Sequence, residues 1–520
     1  MDSQLRNQED ENGVNAQLLI HRDSNMINPY QKNRNVYTKQ SNILLGSSVL
    51  LIVLSTILNI LFQNTIFNTS LNVQQSIQKN MDSEFLKFFM NIISNFVNPT
   101  IVVGLLILIF AFSRKKFEIL NFLLYFAFVS YACSIMKTLF ASPRPYWVGN
   151  KVNQWEWVCY QEYGNPSGHS LLGPIFYEFI LRNYILRKIN KDNKLARAAA
   201  TIGIITLVAL ILFCRLYLGM HALNQVFYGL IIGISLIILY RFYFEVTIKR
   251  VLLYLVRCNI DNSKKPKACI YILSAFLLCL ILCINIYILQ DTVKDKSNEN
   301  QWEIQIEDKC NLKELDPLKA FYNRCFIDCS GVCICFSLML GFLYSKHPEF
   351  LLGRYSSQSN VFLRSLVITI TSLIFMIGFV FMPTGDIVFL KFFFQSIGVF
   401  AAGFCLIYLA PILLFKYNLV QPIHKELQSE LTEELSTEKK LPKSNFNQQG
   451  SSDGERFSIN ANFDSKNQNI GDDYEDHDID FQNTYDLYKP QNSGNGRKSH
   501  QIEQSEQQNN KEKRASDEIN

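Results

Sequence analysis

The chain has 520 residues, of which 48% are hydrophobic, and its formal net charge of +5 is small for that length. This balance gives no case for nucleic-acid binding, which depends on a strongly basic surface. The apolar residues form long, nearly uncharged runs of the roughly 20 residues that a helix needs to cross a bilayer. A soluble protein could reach this average composition, but the distribution of the apolar residues excludes a soluble globular chain and predicts an all-α, polytopic membrane protein.

The polar segment 1–42 comes first and contains no signal peptide that would be cleaved. We expect it to be a disordered cytosolic tail. Ten membrane spans are then predicted, at residues 43–62, 92–113, 117–140, 171–187, 196–218, 221–243, 268–290, 329–345, 361–383 and 387–415. Residues 84–98 are expected to form an amphipathic lead-in to the second span, which Pro99 interrupts.

The final segment, residues 417–520, is rich in Gln, Asn, Ser, Glu, Asp and Lys. Such a composition buries too little apolar surface to offset the conformational entropy of folding. We expect a second disordered tail on the cytosolic side.

The orientation follows from the distribution of basic residues. Lys and Arg concentrate before the first span and in the connections between spans two and three, four and five, and six and seven. The positive-inside rule makes that side cytosolic, so both termini are cytosolic and the segment 291–328 is not. The glycosylation sequon at Asn68 falls in the first external loop, which agrees with this orientation.

Several cysteines fall in or beside external segments. Disulfides are possible there, although the pairing cannot be read from the sequence. These residues are Cys159, Cys310, Cys325 and Cys329.

Three short segments carry the candidate chemistry, and all three lie on the external face in this topology. One runs from Lys137 to Arg144, the next is Pro166-Ser167-Gly168-His169, and the last runs from Arg215 to His221. A single base at a helix end is usually explained by snorkelling to the interface. Three bases beside two histidines instead favour a phosphate site, because the forked Arg donors and the mobile Lys charge match phosphate oxygens.

The Ser167-Gly168 pair lies where the fourth span begins. Gly allows close approach of the backbone to a ligand, and free N–H groups at a helix start bind anions. The plainer interpretation is a turn in which Ser167 caps the helix. The remaining histidines lie in segments expected to be cytosolic, namely His21, His347, His424, His477 and His500.

These segments resemble the type-2 phosphatidic acid phosphatase superfamily, which also contains vanadium haloperoxidases. The family pattern is Lys-x6-Arg-Pro, Pro-Ser-Gly-His and Ser-Arg-x5-His-x3-Asp. The first two motifs match fully, and the third matches at Arg215 and His221. The resemblance covers about residues 80–245. It implies a six-helix catalytic core over residues 43–245, with about four additional transmembrane helices over residues 246–416.

The resemblance also implies residue roles. Lys137, Arg144 and Arg215 would hold the phosphoryl oxygens, with help from the backbone near Ser167 and Gly168. His221 would attack phosphorus to form a phosphohistidine, and His169 would protonate the leaving oxygen and then activate water. The implied activity is hydrolysis of a phosphate monoester without a cofactor, and the sequence offers no evident metal-ligand cluster.

Two positions depart from the family pattern. Cys214 replaces Ser, and Gln225 replaces the Asp that orients the nucleophilic histidine. Because His221 and Gln225 are four residues apart on a helix, we expect the Gln carbonyl to be able to accept the imidazole N–H without supplying negative charge.

The substrate class remains open at this stage. Gln225 resembles the glucose-6-phosphatase and dolichyl diphosphatase branches, and Arg144-Pro-Tyr-Trp147 resembles the glucose-6-phosphatase branch. Glu162-Tyr-Gly164 and Tyr-Leu-Gly-Met-His221 look more like the sphingosine-phosphate and dolichyl-type phosphatases. A lipid phosphate such as a sphingoid-base phosphate or phosphatidate is preferred, because the site is expected at the bilayer surface. The alternatives are a sugar-phosphate or dolichyl-diphosphate hydrolase, a head-group transferase, or an inactive scaffold or transport protein. Oligomeric state and the membrane of residence, endoplasmic reticulum or cell surface, are not indicated.

Overall fold

The computed structural model describes residues 34–422 except 114, 150, 261, 294–297, 313–315, 317–320, 354, 358–360 and 381. Residues 1–33 and 423–520 lie outside this range, so nearly all of both predicted tails is not described. Within it the chain is almost entirely helical, which confirms the all-α prediction. The short strands β1 (Tyr355–Ser357) and β2 (Val420–Pro422) pair antiparallel.

The first part of the chain forms eight helices. They are α1 (Arg34–Asn80), α2 (Glu84–Asn95), α3 (Pro99–Phe112), α4 (Lys116–Phe140), α5 (Gly168–Ile180), α6 (Lys194–Tyr217), α7 (Leu223–Leu239) and α8 (Glu245–Ile260). Single π turns extend α5 over Leu181–Ile185 and join α7 to α8 over Tyr240–Phe244.

The remaining helices follow in the same chain. They are α9 (Lys265–Val293), α10 (Glu299–Lys309), α11 (Phe321–Asp328), α12 (Cys333–Tyr344), α13 (Pro348–Leu351), α14 (Val361–Val380), α15 (Val388–Phe404) and α16 (Ala410–Lys416). A 3-10 turn, Cys329–Val332, joins α11 to α12, and a π turn, Cys405–Leu409, joins α15 to α16.

The described part of the chain contains seven helical segments that are long and apolar enough to cross a membrane, together with two shorter apolar helices in α3 and α14. This confirms a multi-pass integral membrane protein. Each of the ten predicted spans overlaps a helix of the structure. The helix α5, which corresponds to the predicted span 171–187, is neither one of the seven long apolar segments nor one of the two shorter apolar helices. It has 13 residues before its π turn, and roughly 20 are needed for a straight crossing.

The longest helix is α1, which differs from the prediction at both ends. No proline interrupts residues 34–80, and buried side chains recur at helical spacing at Phe67, Leu71 and Gln74. The helix therefore starts before residue 43 and continues through the expected external loop. The sequon at Asn68 lies inside this helix, and the buried Ser70 hydroxyl of the sequon accepts a hydrogen bond from Leu223 N. The prediction of an external loop at this position is therefore wrong.

Two glycines bring α5 and α7 into close contact. A Cβ at Gly229 would lie 2.8 Å from Ser167 O, and one at Gly233 would lie 2.7 Å from Leu171 O. Only glycine permits this approach of two helix backbones. The start of α5 is consequently held against α7, close to the turn that precedes it.

Candidate active site

The ends of four helices meet at one buried polar centre. Lys137 lies in the last turn of α4, His169 in the first turn of α5, and Arg215 in the last turn of α6. Arg144 follows α4, and His221 lies in the turn between α6 and α7. The structure thus brings the five residues into electrostatic contact, since all four others act on the His221 imidazole.

Arg144 is buried and is held from several directions. Its Nε donates to Glu162 O at 2.8 Å, and Nη2 donates to the Glu162 carboxylate at 2.7 Å. Its Nη1 donates to Met220 O at 3.2 Å and lies 3.2 Å from His221 Nε2. The guanidinium therefore connects the loop before α5 with the turn that carries His221.

Lys137 shares the same carboxylate, with its Nζ 3.2 Å from Glu162 Oε1. Burial by itself raises the pKa of Glu162, but the charges of Arg144 and Lys137 outweigh it and lower that pKa to about 2. Glu162 is therefore an anion near neutral pH, and its single charge offsets one of the two positive charges of Lys137 and Arg144, which leaves one for a phosphate.

Arg215 has its own carboxylate partner. Its Nη1 lies 2.7 and 2.8 Å from the two Glu156 oxygens and also donates to Ser94 Oγ on α2. Ser94 Oγ in turn donates to Glu156 Oε1 at 2.8 Å. Arg215 Nε is buried, and no partner for it is found among the described residues. Ser94 of α2 and Glu156 therefore orient the Arg215 guanidinium, and its Nε–H remains available to a ligand.

His221 is held in a defined tautomer. Its Nδ1 lies 2.8 Å from Gly164 O. A carbonyl oxygen can only accept, so Nδ1 carries the proton, and in the neutral ring Nε2 has the lone pair, which accepts from Arg144 Nη1 at 3.2 Å. Burial lowers the pKa of His221 well below its usual value, and the neighbouring cations lower it further. A neutral imidazole with its lone pair beside Arg144 can act as a nucleophile near neutral pH.

Gln225 does not take the role expected from its spacing. Its Oε1 accepts from Ala222 N at 3.1 Å, and its Nε2 donates to Pro143 O at 2.8 Å and Ser142 Oγ at 3.2 Å. The amide is used in this way because Nδ1 of His221 already has the Gly164 carbonyl. Gln225 instead fastens the segment after α4 to the start of α7, and it lies directly against Gly164.

The start of α5 differs from the simple capping interpretation. Ser167 is the residue before the helix, but its hydroxyl accepts from Ser170 Oγ at 3.0 Å and makes no cap hydrogen bond. Its N–H donates to Gln225 O at 3.1 Å, so it is not available to a ligand. The N–H groups of Gly168 and His169 have no acceptor within the helix, as in any first turn.

His169 itself is buried, and its Nε2 has no hydrogen-bond partner among the described residues. A buried imidazole nitrogen without a partner beside three cationic groups is an available acid or base. Cys214, which replaces the family Ser, is buried, and its Sγ lies 3.1 Å from Met90 Sδ.

Sequence reasoning missed Glu156, Glu162 as an ion-pair partner, Ser94 and the Gly164 carbonyl. One signal was present, because buried bases need buried acids and residues 141–167 contain just these two acids. No group of three His, Cys, Asp or Glu residues suited to a metal ion was found in the part of the chain that the structure describes.

The structure shows which of the four cysteines considered for disulfides are paired. Cys159 and Cys310 are joined. Cys325 and Cys329 are free and buried in the α11 region, and they are not in an exposed loop.

Comparison with known proteins places this site in a family. Residues 118–248 match the model of the PAP2 superfamily, and this range contains every candidate site residue from Lys137 to Gln225. This part of the chain is therefore a PAP2-superfamily domain, whose fold is that of a membrane-embedded helical protein. Membership indicates phosphatase activity on phosphate esters. No curated protein and no solved structure matches the chain at a significant level.

Proposed function

We propose that the chain is a metal-independent phosphoric-ester hydrolase that cleaves a lipid phosphate monoester through a phosphohistidine intermediate. The observation that carries the proposal is the state of His221. Its Nδ1–H is bound to Gly164 O, so Nε2 carries the lone pair, which accepts from Arg144 Nη1 at 3.2 Å. A phosphoryl oxygen that takes over this Arg144 donor frees the lone pair and places phosphorus beside it. This is the arrangement that nucleophilic attack on a bound phosphate requires.

The substrate dianion is held by Lys137, Arg144 and Arg215, together with the first-turn N–H groups of Gly168 and His169. These cations supply the charge stabilisation that the transition state needs as negative charge spreads over the phosphoryl oxygens. Arg215 Nε is a buried donor that a phosphoryl oxygen would satisfy.

In the first step, His221 Nε2 attacks phosphorus and the bond to the leaving oxygen breaks. Burial and the neighbouring cations hold the pKa of the free His169 imidazole well below its usual value, and the charge of the bound phosphate dianion raises that pKa, so His169 takes up a proton when the substrate binds. The protonated His169 then gives its proton to the leaving oxygen, so a neutral alcohol leaves. The ring of His221 then carries positive charge, which Gly164 O stabilises through Nδ1–H. In the second step, His169 removes a proton from water, the water oxygen attacks phosphorus, and the N–P bond breaks to regenerate His221.

A lipid substrate is favoured by the position of the site at the ends of apolar helices. By the positive-inside rule we assign the site to the non-cytosolic face of the endoplasmic reticulum or plasma membrane, with both termini cytosolic. Protease protection of tags at the two termini in sealed vesicles tests this orientation.

Phosphate release from purified protein tests the activity. We expect release from a lipid phosphate in the presence of a chelator, inhibition by vanadate, and loss of release in both His221→Ala and His169→Ala. His347→Ala is the matched control, because His347 stacks on Phe415 away from the site. Acid-labile labelling by a ³²P-lipid phosphate should occur in the wild type and be absent in His221→Ala.

A substrate panel separates the alternatives. Sphingosine phosphate, phosphatidate, dolichyl pyrophosphate and glucose 6-phosphate distinguish the lipid monoesterase from dolichyl-diphosphatase-like and glucose-6-phosphatase-like enzymes. Added alcohol acceptors reveal a head-group transferase. A folded wild-type protein with no turnover and no phosphohistidine would refute the proposal and favour an inactive scaffold.

A further inference from the structure

The segment between α4 and α5, residues 141–167, is called the site loop below. Apart from a 3-10 turn at Pro145–Trp147 it has no regular structure, and yet it carries Arg144, both buried glutamates and Gly164. Residue 150 of the loop is not described. A long irregular loop takes its position from the groups that contact it. What holds the site loop therefore decides the geometry around His221.

Many of those contacts come from outside the PAP2 match. The segment 299–332, here called the cap, comprises α10, α11 and the following 3-10 turn, without residues 313–315 and 317–320. It lies in the sequence after residue 248, where the match ends.

The cap holds the site loop on both sides of Glu162. Tyr163 Oη donates to Glu299 Oε1 at 2.7 Å, and both side chains are buried. On the other side, Phe321 N donates to Gln161 O. The residues that contact Arg144 and His221, namely Glu162 and Gly164, are thus immediate neighbours of residues bound by the cap.

Aromatic packing reinforces these hydrogen bonds. Trp147 is fully buried, with ring centroids 5.3 Å from Phe321 and 6.0 Å from Trp302. The Tyr163 and Phe321 rings are 6.1 Å apart. The cap therefore covers the segment just after Arg144 as well as the segment just before α5.

Elsewhere in the site loop, a disulfide bond and the ammonium group of Lys309 also attach the loop to the cap. Cys159 is disulfide-bonded to Cys310. Lys309 Nζ donates to Gly149 O at 2.8 Å and to Val152 O at 2.6 Å.

We propose that the cap is a positioning element of the catalytic site. Through the Tyr163–Glu299 hydrogen bond it holds Glu162 against Arg144 and Gly164 O against His221 Nδ1. The membrane segments after the PAP2 domain then serve in part to carry this cap. The inference rests on the proposed function for its kinetic test, and its structural test is independent of activity.

The kinetic test uses Tyr163→Phe, Glu299→Gln and the double variant in the full chain. We expect Tyr163→Phe, which removes the donor, to lower kcat about 10- to 100-fold, as for the loss of a buried hydrogen bond to a charged group. Glu299→Gln keeps a neutral oxygen acceptor and should lower kcat less. KM should change little, and the double variant should be no slower than the slower single one. Tyr322→Phe is the control, because it removes a tyrosine hydroxyl of the same cap that donates to Asp291 of α9 at 2.8 Å.

The structural test is hydrogen–deuterium exchange of residues 157–167 in wild type, Glu299→Gln and Tyr322→Phe. We expect faster exchange in Glu299→Gln than in the wild type or in Tyr322→Phe. Unchanged exchange and wild-type kcat in Tyr163→Phe and Glu299→Gln would overturn the cap proposal. An inactive wild type with faster loop exchange in Glu299→Gln would instead retain the cap as a loop-positioning element and reject the phosphatase.

Discussion

Gly164→Ala is expected to weaken the proposed nucleophile, His221, although the His221 side chain itself is unchanged. A Cβ at this position would lie 2.6 Å from Gln225 Oε1, 2.8 Å from Nε2 and 3.0 Å from Cδ, where ordinary contact begins near 3.4 Å. Something must therefore move by about 0.8 Å, the difference between the closest contact and that limit. Gln225 cannot swing away freely, because it is buried and its amide holds Ala222, Ser142 and Pro143.

Two outcomes are available to the chain. If the Gln225 side chain moves, its hydrogen bonds are lost, and each loss lowers the free energy of unfolding by about 1 kcal/mol. If Gly164 yields, a displacement of that size would stretch the bond from His221 Nδ1 beyond hydrogen-bond range. A buried donor left without its acceptor costs about 1–3 kcal/mol, which corresponds to a roughly 5- to 150-fold loss in kcat if it falls on the attack step.

Initial rates of phosphate release at saturating lipid phosphate measure this loss. Gly203→Ala is the matched control, because a Cβ there meets nothing within 4 Å. Gly164→Ala combined with Gln225→Ala should recover part of the lost kcat, since the smaller side chain removes the clash. Wild-type kcat in Gly164→Ala, or equal losses in both glycine variants, would refute the link between Gly164 and His221.

Three further expectations concern the charges and the amide of the site. Glu162→Gln should lower the thermal midpoint, because it removes the counter-charge of buried cations. The pKa of Glu162 is about 2 in the folded protein, below its ordinary value of 4.5. The ionised carboxylate therefore stabilises the fold above pH 4.5, and this stabilisation is lost as the pH falls toward 2. The difference in thermal midpoint between wild type and Glu162→Gln should shrink below about pH 4.5, and a constant difference would contradict the ion-pair assignment. Because burial and the neighbouring cations lower the pKa of His221 in the free protein, the acid limb of kcat/KM should lie well below pH 6.5, and a limb at the ordinary histidine value would argue against His221 as the nucleophile. Gln225→Asp restores the family carboxylate but removes the donor to Pro143 O, so we expect lower kcat and lower thermal stability, and a faster enzyme would mean that the carboxylate reaches His221.

The sequence predicted the helices and the meeting of the motifs well, for a physical reason. Long apolar runs must become helices in a bilayer, and motifs placed at the same end of successive spans must come together. Lys137, Arg144 and His221 therefore meet, although no single one of them indicates a site.

The rest of the site depends on contacts that local patterns do not contain. The partner of His221 Nδ1 is a backbone carbonyl, which any residue supplies, and it lies in a loop positioned by the distant cap. The four-residue spacing to Gln225 gave the wrong partner, because helical spacing predicts proximity and does not decide which acceptor is oriented correctly. The length of α1 was missed because its second half is polar enough to read as a loop, although its buried face has helical period.

The disulfide between Cys159 and Cys310 has a consequence for biosynthesis. The two cysteines are separated by 151 residues. At about 5–20 residues per second, the ribosome needs roughly 8–30 s to make the second after the first. In the later part of that interval, after His221 has been made, the nascent chain has all the proposed site residues but still lacks the segment that we propose holds the site loop. The disulfide can therefore form only after α9 and α10 have been made, so the proposed site would be completed later than the residues that compose it.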